Sequence, residues 1–376
     1  MYIHQNINWT DFKYSIEHLA NDLASVRYKQ GYLLGQMKSL GFSIREEAML
    51  NSLTLDVLKS TEIEGEFLDK EQVRSSIARR LGIKTLGLVR SSRDIDGIVE
   101  MMLDATQRYD KPLTEQRLFG WHASLFPTGW SGIIKIEIGK YRTGEMQVVS
   151  GPMGKERIHY DAPEAERVQT EMNIFLQWLN SETLLDPIIK AAIAHFWFIT
   201  IHPFDDGNGR IARAITDMLL TRSDGSSQRF YSMSNQILNE RKAYYEILEK
   251  TQRGNGELTE YLTWFLFCLK EALETSERQL ESILSKAQFW DQHIHTSFNE
   301  RQRSILNKLL DGFNGKLTTS KWAKINKCSS DTALNDINDL IAKNILCRSE
   351  EGGRSTNYIL RPFNGAKLCI RPREEI

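Results

Sequence analysis

Twelve consecutive residues, His202-Pro203-Phe204-Asp205-Asp206-Gly207-Asn208-Gly209-Arg210-Ile211-Ala212-Arg213, hold a mixture of groups that packing alone does not call for. His202 has an intrinsic pKa near neutrality and can take a proton from an attacking hydroxyl. Asp206 offers a hard oxygen to Mg²⁺, which usually binds through one or two carboxylates and the phosphates of its substrate. Gly207 and Gly209 have no side chains to block an anion, so the amides of residues 207–210 can form a phosphate nest. Arg210 and Arg213 lie three apart on one helix face and suit forked contact with phosphate oxygens. These are the parts needed to hold a nucleoside triphosphate and attack it. Phe204, an aromatic among polar neighbours, is expected to plug the core. Pro203 shapes the turn, and Asp205 receives no role.

The flanking chain predicts how these groups are held. Asp186-Pro187 reads as a helix start, an N-cap aspartate followed by proline at the first helical position. The helix beginning there is apolar on nearly every face (Ile188, Ile189, Ala192, Ile193, Phe196, Trp197) and should be the buried central helix. It must stop before Pro203, because a following proline pushes His202 towards an extended conformation. Gly209 and Arg210 begin another helix, running through Ile215 and Leu219. The motif therefore leads into a helix N-terminus, with its unpaired amides and positive dipole end.

Helical periodicity dominates elsewhere. Residues 11–41 place Phe12, Ile16, Leu19, Leu23, Val26, Leu33 and Leu34 at helical spacing, with Gly41 as the stop, and helices follow over 43–60, 69–81 and 91–109. Between 139 and 162, Gly144, Gly151, Pro152 and Gly154 punctuate two β-rich runs, 146–149 and 157–160. That pattern predicts a hairpin with a Gly-Pro-Met-Gly turn. A helix from Pro163 to about Asn180 comes next, and others cover 239–253, 259–275 and 276–293. The chain is mainly α.

At 376 residues the length suits two or three domains. The 48 basic and 49 acidic residues nearly cancel, so no global field draws nucleic acid or membrane. Four scattered cysteines without a C-x-x-C pair point to free thiols in a reducing compartment. The first residues lack the basic start and apolar stretch of a signal peptide, and residues 191–201 are too short to span a bilayer. A cytoplasmic location with no membrane contact is the expectation.

Residues 202–213 resemble the Fic family signature, H-P-F-x-[DE]-G-N-G-R-x-x-R, at every specified position. The resemblance covers about 117–270 and implies a Fic-fold helical core. Most such enzymes transfer AMP from ATP to a Ser, Thr or Tyr hydroxyl of a protein. Carried over, His202 deprotonates that hydroxyl, Asp206 holds Mg²⁺, and Asn208 positions the α-phosphate. Amides near Gly207 and Gly209 cradle the pyrophosphate, while Arg210 and Arg213 bind the outer phosphates. The resemblance also makes the hairpin, at about 147–160, a flap on which a target protein docks as an extended segment. It places Tyr244, Tyr245 and Gln252 near base and ribose, although both tyrosines read equally well as core aromatics.

Upstream, Ser60-Thr61-Glu62-Ile63-Glu64-Gly65 fits the family's inhibitory pattern, [ST]-x-x-x-E-[GN], at the end of an expected helix. Ser60 and Glu64 would share a helix face. The resemblance implies that Glu64 pairs with Arg213 and fills the γ-phosphate space. The block from Trp9 to Leu81 resembles the N-terminal helical extension of bacterial relatives carrying such a helix. Self-modification is a further implication. Two other functions stay open: removal of AMP or transfer of another phosphate-containing group, and a ligand-sensing transcriptional regulator. A homodimer is also left open.

Beyond the core, 299–313, 319–326 and 329–343 read as helices, and 345–347 and 357–360 flank a Glu-Glu-Gly-Gly-Arg turn. This arrangement resembles a winged helix-turn-helix. Asp331, Asp336 and Asp339 make the 329–343 helix acidic, which disfavours DNA because phosphate contacts supply much of the affinity. Lys321, Lys324 and Lys327 partly restore that case, and protein interaction is preferred. The expected domains are 1–90 (helical extension), 91–290 (catalytic core) and 297–370 (winged-helix-like).

Overall fold

Strong helix starts divide the chain into elements. Ser15, Asp69, Ser92, Thr114 and Asp186 each accept a first-turn amide in their side chains, capping five of the helices. A computed structural model of the protein describes residues 1–84, 87–150, 157–310, 313, 315–349 and 356–362. In order these contain α1 (Ile16–Lys38), α2 (Phe42–Ile63), α3 (Lys70–Leu81), α4 (Arg93–Gln107) and α5 (Glu115–Leu125). Two hairpins follow, β1 (Trp130–Ser131) with β2 (Ile134–Lys135), and β3 (Gln147–Ser150) with β4 (Arg157–Asp161). Then come α6 (Ala165–Asn180), α7 (Pro187–Ile201), α8 (Asn208–Asp224), α9 (Met233–Asn239), α10 (Arg241–Gln252) and α11 (Thr259–Gln292). The chain ends with α12 (Glu300–Leu310), α13 (Thr319–Asn326), α14 (Ser330–Ala342), β5 (Leu346–Arg348) and β6 (Tyr358–Leu360).

The chain divides into two compact units, 1–276 and 277–376. In the first, α7 is the buried centre and packs on α8, as its apolar sequence requires. Ile188, Phe196, Phe198, Ile201, Ile211, Ile215 and Met218 are completely buried there. Each such side chain contributes roughly 1.5–3 kcal/mol of burial free energy. The 1–90 extension shares this unit with the core, and α2 packs against α3, α8 and α9.

A buried ion cluster ties α2 to the core. Arg229 donates to Asp217 on α8 at 2.7 Å and lies 3.8 Å from Asp56 on α2. All three side chains are at most 1% exposed. Burial, and then repulsion by Asp217, push the Asp56 carboxyl up to about 8.

In the second unit α12, α13 and α14 pack around the completely buried Trp322, Ile337 and Leu340, and β5 pairs antiparallel with β6. Asp336 accepts from Arg301 and Asn299, while Asp339 accepts from Lys343 and Gln302. Two of the three acids that define the acidic 329–343 helix are thus already paired. The Glu-Glu-Gly-Gly-Arg turn lies outside the described residues.

Several sequence expectations change. Gly41 does not stop α1, which ends at Lys38; it is the N-cap of α2. Ile16 is 53% exposed because it occupies the first helical position, before the stripe reaches the core. The helix expected over 239–253 begins at Arg241, and Glu240 separates it from a shorter α9. The helices expected at 259–275 and 276–293 are one 34-residue helix, since no glycine or proline interrupts the run. Helix α5 and hairpin β1–β2 were not expected. Among the described residues no helix is long and apolar enough to cross a membrane.

Candidate nucleotide-binding active site

Helix α7 delivers His202 to the site. Asp186 caps its first turn, accepting from the Ile188 amide at 2.8 Å, and Pro187 sits at the first helical position. The helix ends at Ile201 as expected, but His202 is left-handed (φ 51°, ψ 60°) rather than extended. A following proline favours extended backbone in its predecessor, and here local hydrogen bonds outweigh that preference. Here the Arg142 guanidinium donates to the His202 carbonyl at 2.8 Å, and the Arg142 amide donates to the Pro203 carbonyl at 2.9 Å.

The imidazole is half-buried, and its Nδ1 lies 3.1 Å from the Ile199 carbonyl oxygen. A carbonyl can only accept, so Nδ1 carries the hydrogen and Nε2 keeps its lone pair. Burial holds the pKa below the usual histidine value, while the Ile199 carbonyl opposes that shift. Arg142 adds to the lowering; Glu64 and Asp206 counter it.

The loop after His202 is fixed from within. Phe204 is completely buried and stacks on His122 at 4.3 Å, the plug expected of it. The Asn208 side chain accepts from the Phe204 amide at 3.0 Å and donates to the Phe204 carbonyl at 2.7 Å. Its amide group is therefore committed to shaping the loop. Gly207, at φ 82°, is the N-cap of α8, a conformation that costs a side-chain-bearing residue about 1–2 kcal/mol. The first-turn amides of α8 have no partners inside the helix. Asp206 accepts from the Gly207 amide and from the Ser131 hydroxyl of β1, and Asp205 accepts from the Glu137 amide at 3.2 Å.

A cavity of about 610 Å³ opens on this loop. His202, Asp206, Gly207, Asn208 and Gly209 line it together with Tyr244, Tyr245 and Gln252. The structure thus gathers three expected residues of α10 with the motif. Tyr244 is 2% exposed and held by His195 Nε2 at 2.9 Å, whereas Tyr245 is 41% exposed. Gln252 donates to Thr200 at 3.4 Å. Burial lowers the His195 pKa to about 3, so this histidine stays neutral and structural.

The upstream pattern meets the motif at this cavity. Glu64 is the C-cap of α2, and Gly65 turns the chain away at φ 87°. Glu64 Oε1 accepts from Arg213 Nη2 at 2.7 Å. Arg213 also donates to the Ser60 hydroxyl at 2.8 Å and the Ser60 carbonyl at 2.7 Å. Arg213 is 2% exposed and Glu64 lines the cavity. A Cβ built on Gly209 would collide with the Glu64 carboxylate, so the glycine permits this approach. Two residues on, Glu66 pairs with Arg210 at 3.1 Å, and Asp206 lies 3.7 Å from the same guanidinium.

The hairpin borders the cavity through Gln147, Val148, Val149, His159 and Tyr160. Its strands pair antiparallel with an irregularity between Val148 and Val149; residues 151–156, the expected turn, lie outside the described residues. Tyr160 donates to the Thr200 carbonyl at 2.7 Å, and Glu249 of α10 receives Arg157 at 3.0 Å and His159 at 2.7 Å.

Sequence reasoning missed Ser131, Arg142, Glu66 and Glu249. Among the described residues the Arg142 side chain bonds only to main-chain carbonyls, which leave no trace in side-chain patterns. Ser131 had one usable signal, its place between two glycines in a short loop.

A Mg²⁺ site can be tested against these groups. Among the described residues no cluster of three or more His, Cys, Asp or Glu side chains could hold a metal. Asp206, one of four carboxylates lining the cavity with Glu64, Asp205 and Glu249, fits a cation that takes its other ligands from water and phosphates.

Residues 112–220 match the Fic/DOC family, and residues 2–83 match DUF4172, a domain of unknown function. The chain is 37% identical over 90 residues to the protein adenylyltransferase fic-1 of Caenorhabditis elegans, covering 23% of this chain and 16% of that one. It is 25% identical over 229 residues to the protein adenylyltransferase Fic of Aedes aegypti, covering 58% and 40%. These matches span less than half the length of the curated relatives. The fold is similar to that of a Fic family protein from Desulfovibrio desulfuricans G20, with a TM-score of 0.52 and 20% identity over 92% of this chain and 96% of that one. Motif and sequence match agree on this stretch: residues 112–220 of the chain match the Fic/DOC family.

Proposed function

We propose that the protein is an adenylyltransferase that moves AMP from ATP to a Ser, Thr or Tyr hydroxyl of a protein, and that Glu64 holds the site off. The observation that carries this reading is the convergence of His202, Asp206 and the N-terminus of α8 on one cavity. The named activity of its curated relatives supports it.

The target hydroxyl attacks the α-phosphorus in line; an O–P bond forms and the bond to the β-phosphate oxygen breaks, releasing pyrophosphate. His202 Nε2 takes the hydroxyl proton. Amides at the start of α8 hold the phosphate oxygens, and Asn208 serves chiefly by fixing the loop that presents them. Tyr245 and Gln252 border the space for base and ribose. Asp206 would hold Mg²⁺, which would neutralise charge on the phosphates when bound. Catalysis rests on positioning and on fixed charge.

In the resting site both arginines meant for the outer phosphates face carboxylates from one segment, Glu64 on Arg213 and Glu66 on Arg210. The γ-phosphate needs the place that Glu64 occupies. Extended target chain docks on the 147–160 flap, where backbone pairing needs little side-chain selectivity. Incubation with α-labelled ATP, Mg²⁺ and cell lysate, followed by intact mass of labelled proteins, tests the reaction. A gain of one AMP supports it; loss of AMP from a modified protein, or no change with a Glu64→Gly variant, rejects it.

A further inference from the structure

The structure assigns a positioning role to Arg142: its guanidinium holds the main chain of the proton-accepting histidine and ties it to both ends of the β3–β4 hairpin. This rests on the transfer reaction proposed above only in naming His202 as the base.

Arg142 is 2% exposed. Its Nε donates to the His202 carbonyl at 2.8 Å, and Nη2 reaches the Ile201 carbonyl at 3.5 Å. Nη1 donates to the Gly144 carbonyl at 2.8 Å, just before β3, and Nη2 donates also to the Pro163 carbonyl, just after β4. One planar fork thus joins three segments: the end of α7, the chain leading into the flap and the chain leaving it. Only arginine spans such a set, because its donors diverge in a fixed plane, whereas lysine offers one mobile point.

The geometry serves the base directly. A non-glycine residue in the left-handed region persists only where its surroundings over-determine it. His202 is so placed, and Arg142 contacts its carbonyl while the Arg142 amide holds the next one. Misplacing a catalytic group by about 1 Å can cost on the order of 100-fold in rate. The guanidinium also faces the imidazole electrostatically, opposed by Glu64 from α2 and Asp206 from the motif loop.

The test compares Arg142→Gln and Arg142→Lys in the Glu64→Gly background. Binding of a non-hydrolysable ATP analogue with Mg²⁺ should stay within about twofold of the parent, because Arg142 is not given to phosphate. AMP transfer should fall by roughly 10- to 100-fold in Arg142→Gln through kcat, with Arg142→Lys intermediate. The His202 ring, assigned by difference with His202→Ala, should titrate higher in Arg142→Gln by NMR and near the parent in Arg142→Lys. Unchanged kcat and unchanged titration in a folded Arg142→Gln would overturn the assignment. So would an equal collapse of nucleotide binding and melting temperature in both variants, which marks a general structural role. If the Glu64→Gly parent itself transfers no AMP, the functional reading fails, and the His202 titration still decides the role of Arg142.

Discussion

At the scale of single residues, the fold itself sets the protons and charges of the candidate site. His202 is held with Nδ1 against a carbonyl and Nε2 free, and its pKa lies below the usual 6.5. The imidazole is therefore neutral at pH 7, and in the proposed role of base it is disabled by protonation only in more acidic solution. AMP transfer by the Glu64→Gly variant should be flat near neutrality and fall on the acid side with an apparent pKa below 6.5. A limb centred at or above 6.5, in a profile of kcat, contradicts this. Asp56 shows the opposite shift, a carboxyl raised to about 8 by burial and by Asp217. The unfolded chain loses the Asp56 proton near the ordinary carboxylate pKa while the folded chain keeps it, so stability falls as pH rises towards 8. Asp56→Asn removes that proton linkage. Its melting temperature should vary less with pH between about 4 and 8 than that of the wild type. An identical slope for the two proteins would show that Asp56 titrates normally.

Helices and hairpins decide which of these groups meet. Helix α2 brings Glu64 to Arg213, and the turn beyond it brings Glu66 to Arg210. Glu66→Gln added to Glu64→Gly should lower the KM for ATP by a further few-fold, about 0.5–1 kcal/mol for a half-exposed carboxylate. No change in KM would confine the block to Glu64. On the flap, Val149 is 47% exposed beside the cavity. Val149→Asp should cut labelling of protein targets about tenfold while leaving ATP analogue binding intact. Equal losses in labelling and in nucleotide binding would count against target docking there. The elements that supply these contacts were unevenly legible. Helix α7 was plain because its cap, its proline and its unbroken apolar run agree. The start of α8 was equally plain, since glycine and asparagine there answer a backbone need. Helix α5 was missed although its signals are present, a Thr114 cap and Leu118, Trp121 and Leu125 at helical spacing. The continuity of α11 was hidden by polar residues around 274–278, which tertiary packing tolerates without a break. Glu66 and Arg142 were invisible for a different reason: their partners are distant in sequence, one of them main chain.

For the whole molecule, a single compact unit holds the extension and the stretch matching Fic/DOC, so Glu64 and the arginine it pairs with belong to one folded body. In the second unit Asp336 and Asp339 are paired, which partly cancels the acidity of α14, yet that helix carries no lysine or arginine of its own to offer phosphate. Duplex DNA of mixed sequence should show no salt-dependent shift with the full chain; a shift that weakens steeply with salt would establish phosphate contacts. Transfer of AMP by this chain and its restraint by Glu64 can be tested together. Wild type, Glu64→Gly and His202→Ala, each incubated with α-labelled ATP, Mg²⁺ and lysate, test both halves by the rate of label entering protein. The account expects little label with wild type, at least tenfold more with Glu64→Gly, and none with His202→Ala, on the order of the gain from freeing one phosphate-binding arginine. Equal labelling by wild type and Glu64→Gly, or labelling that survives His202→Ala, would contradict it.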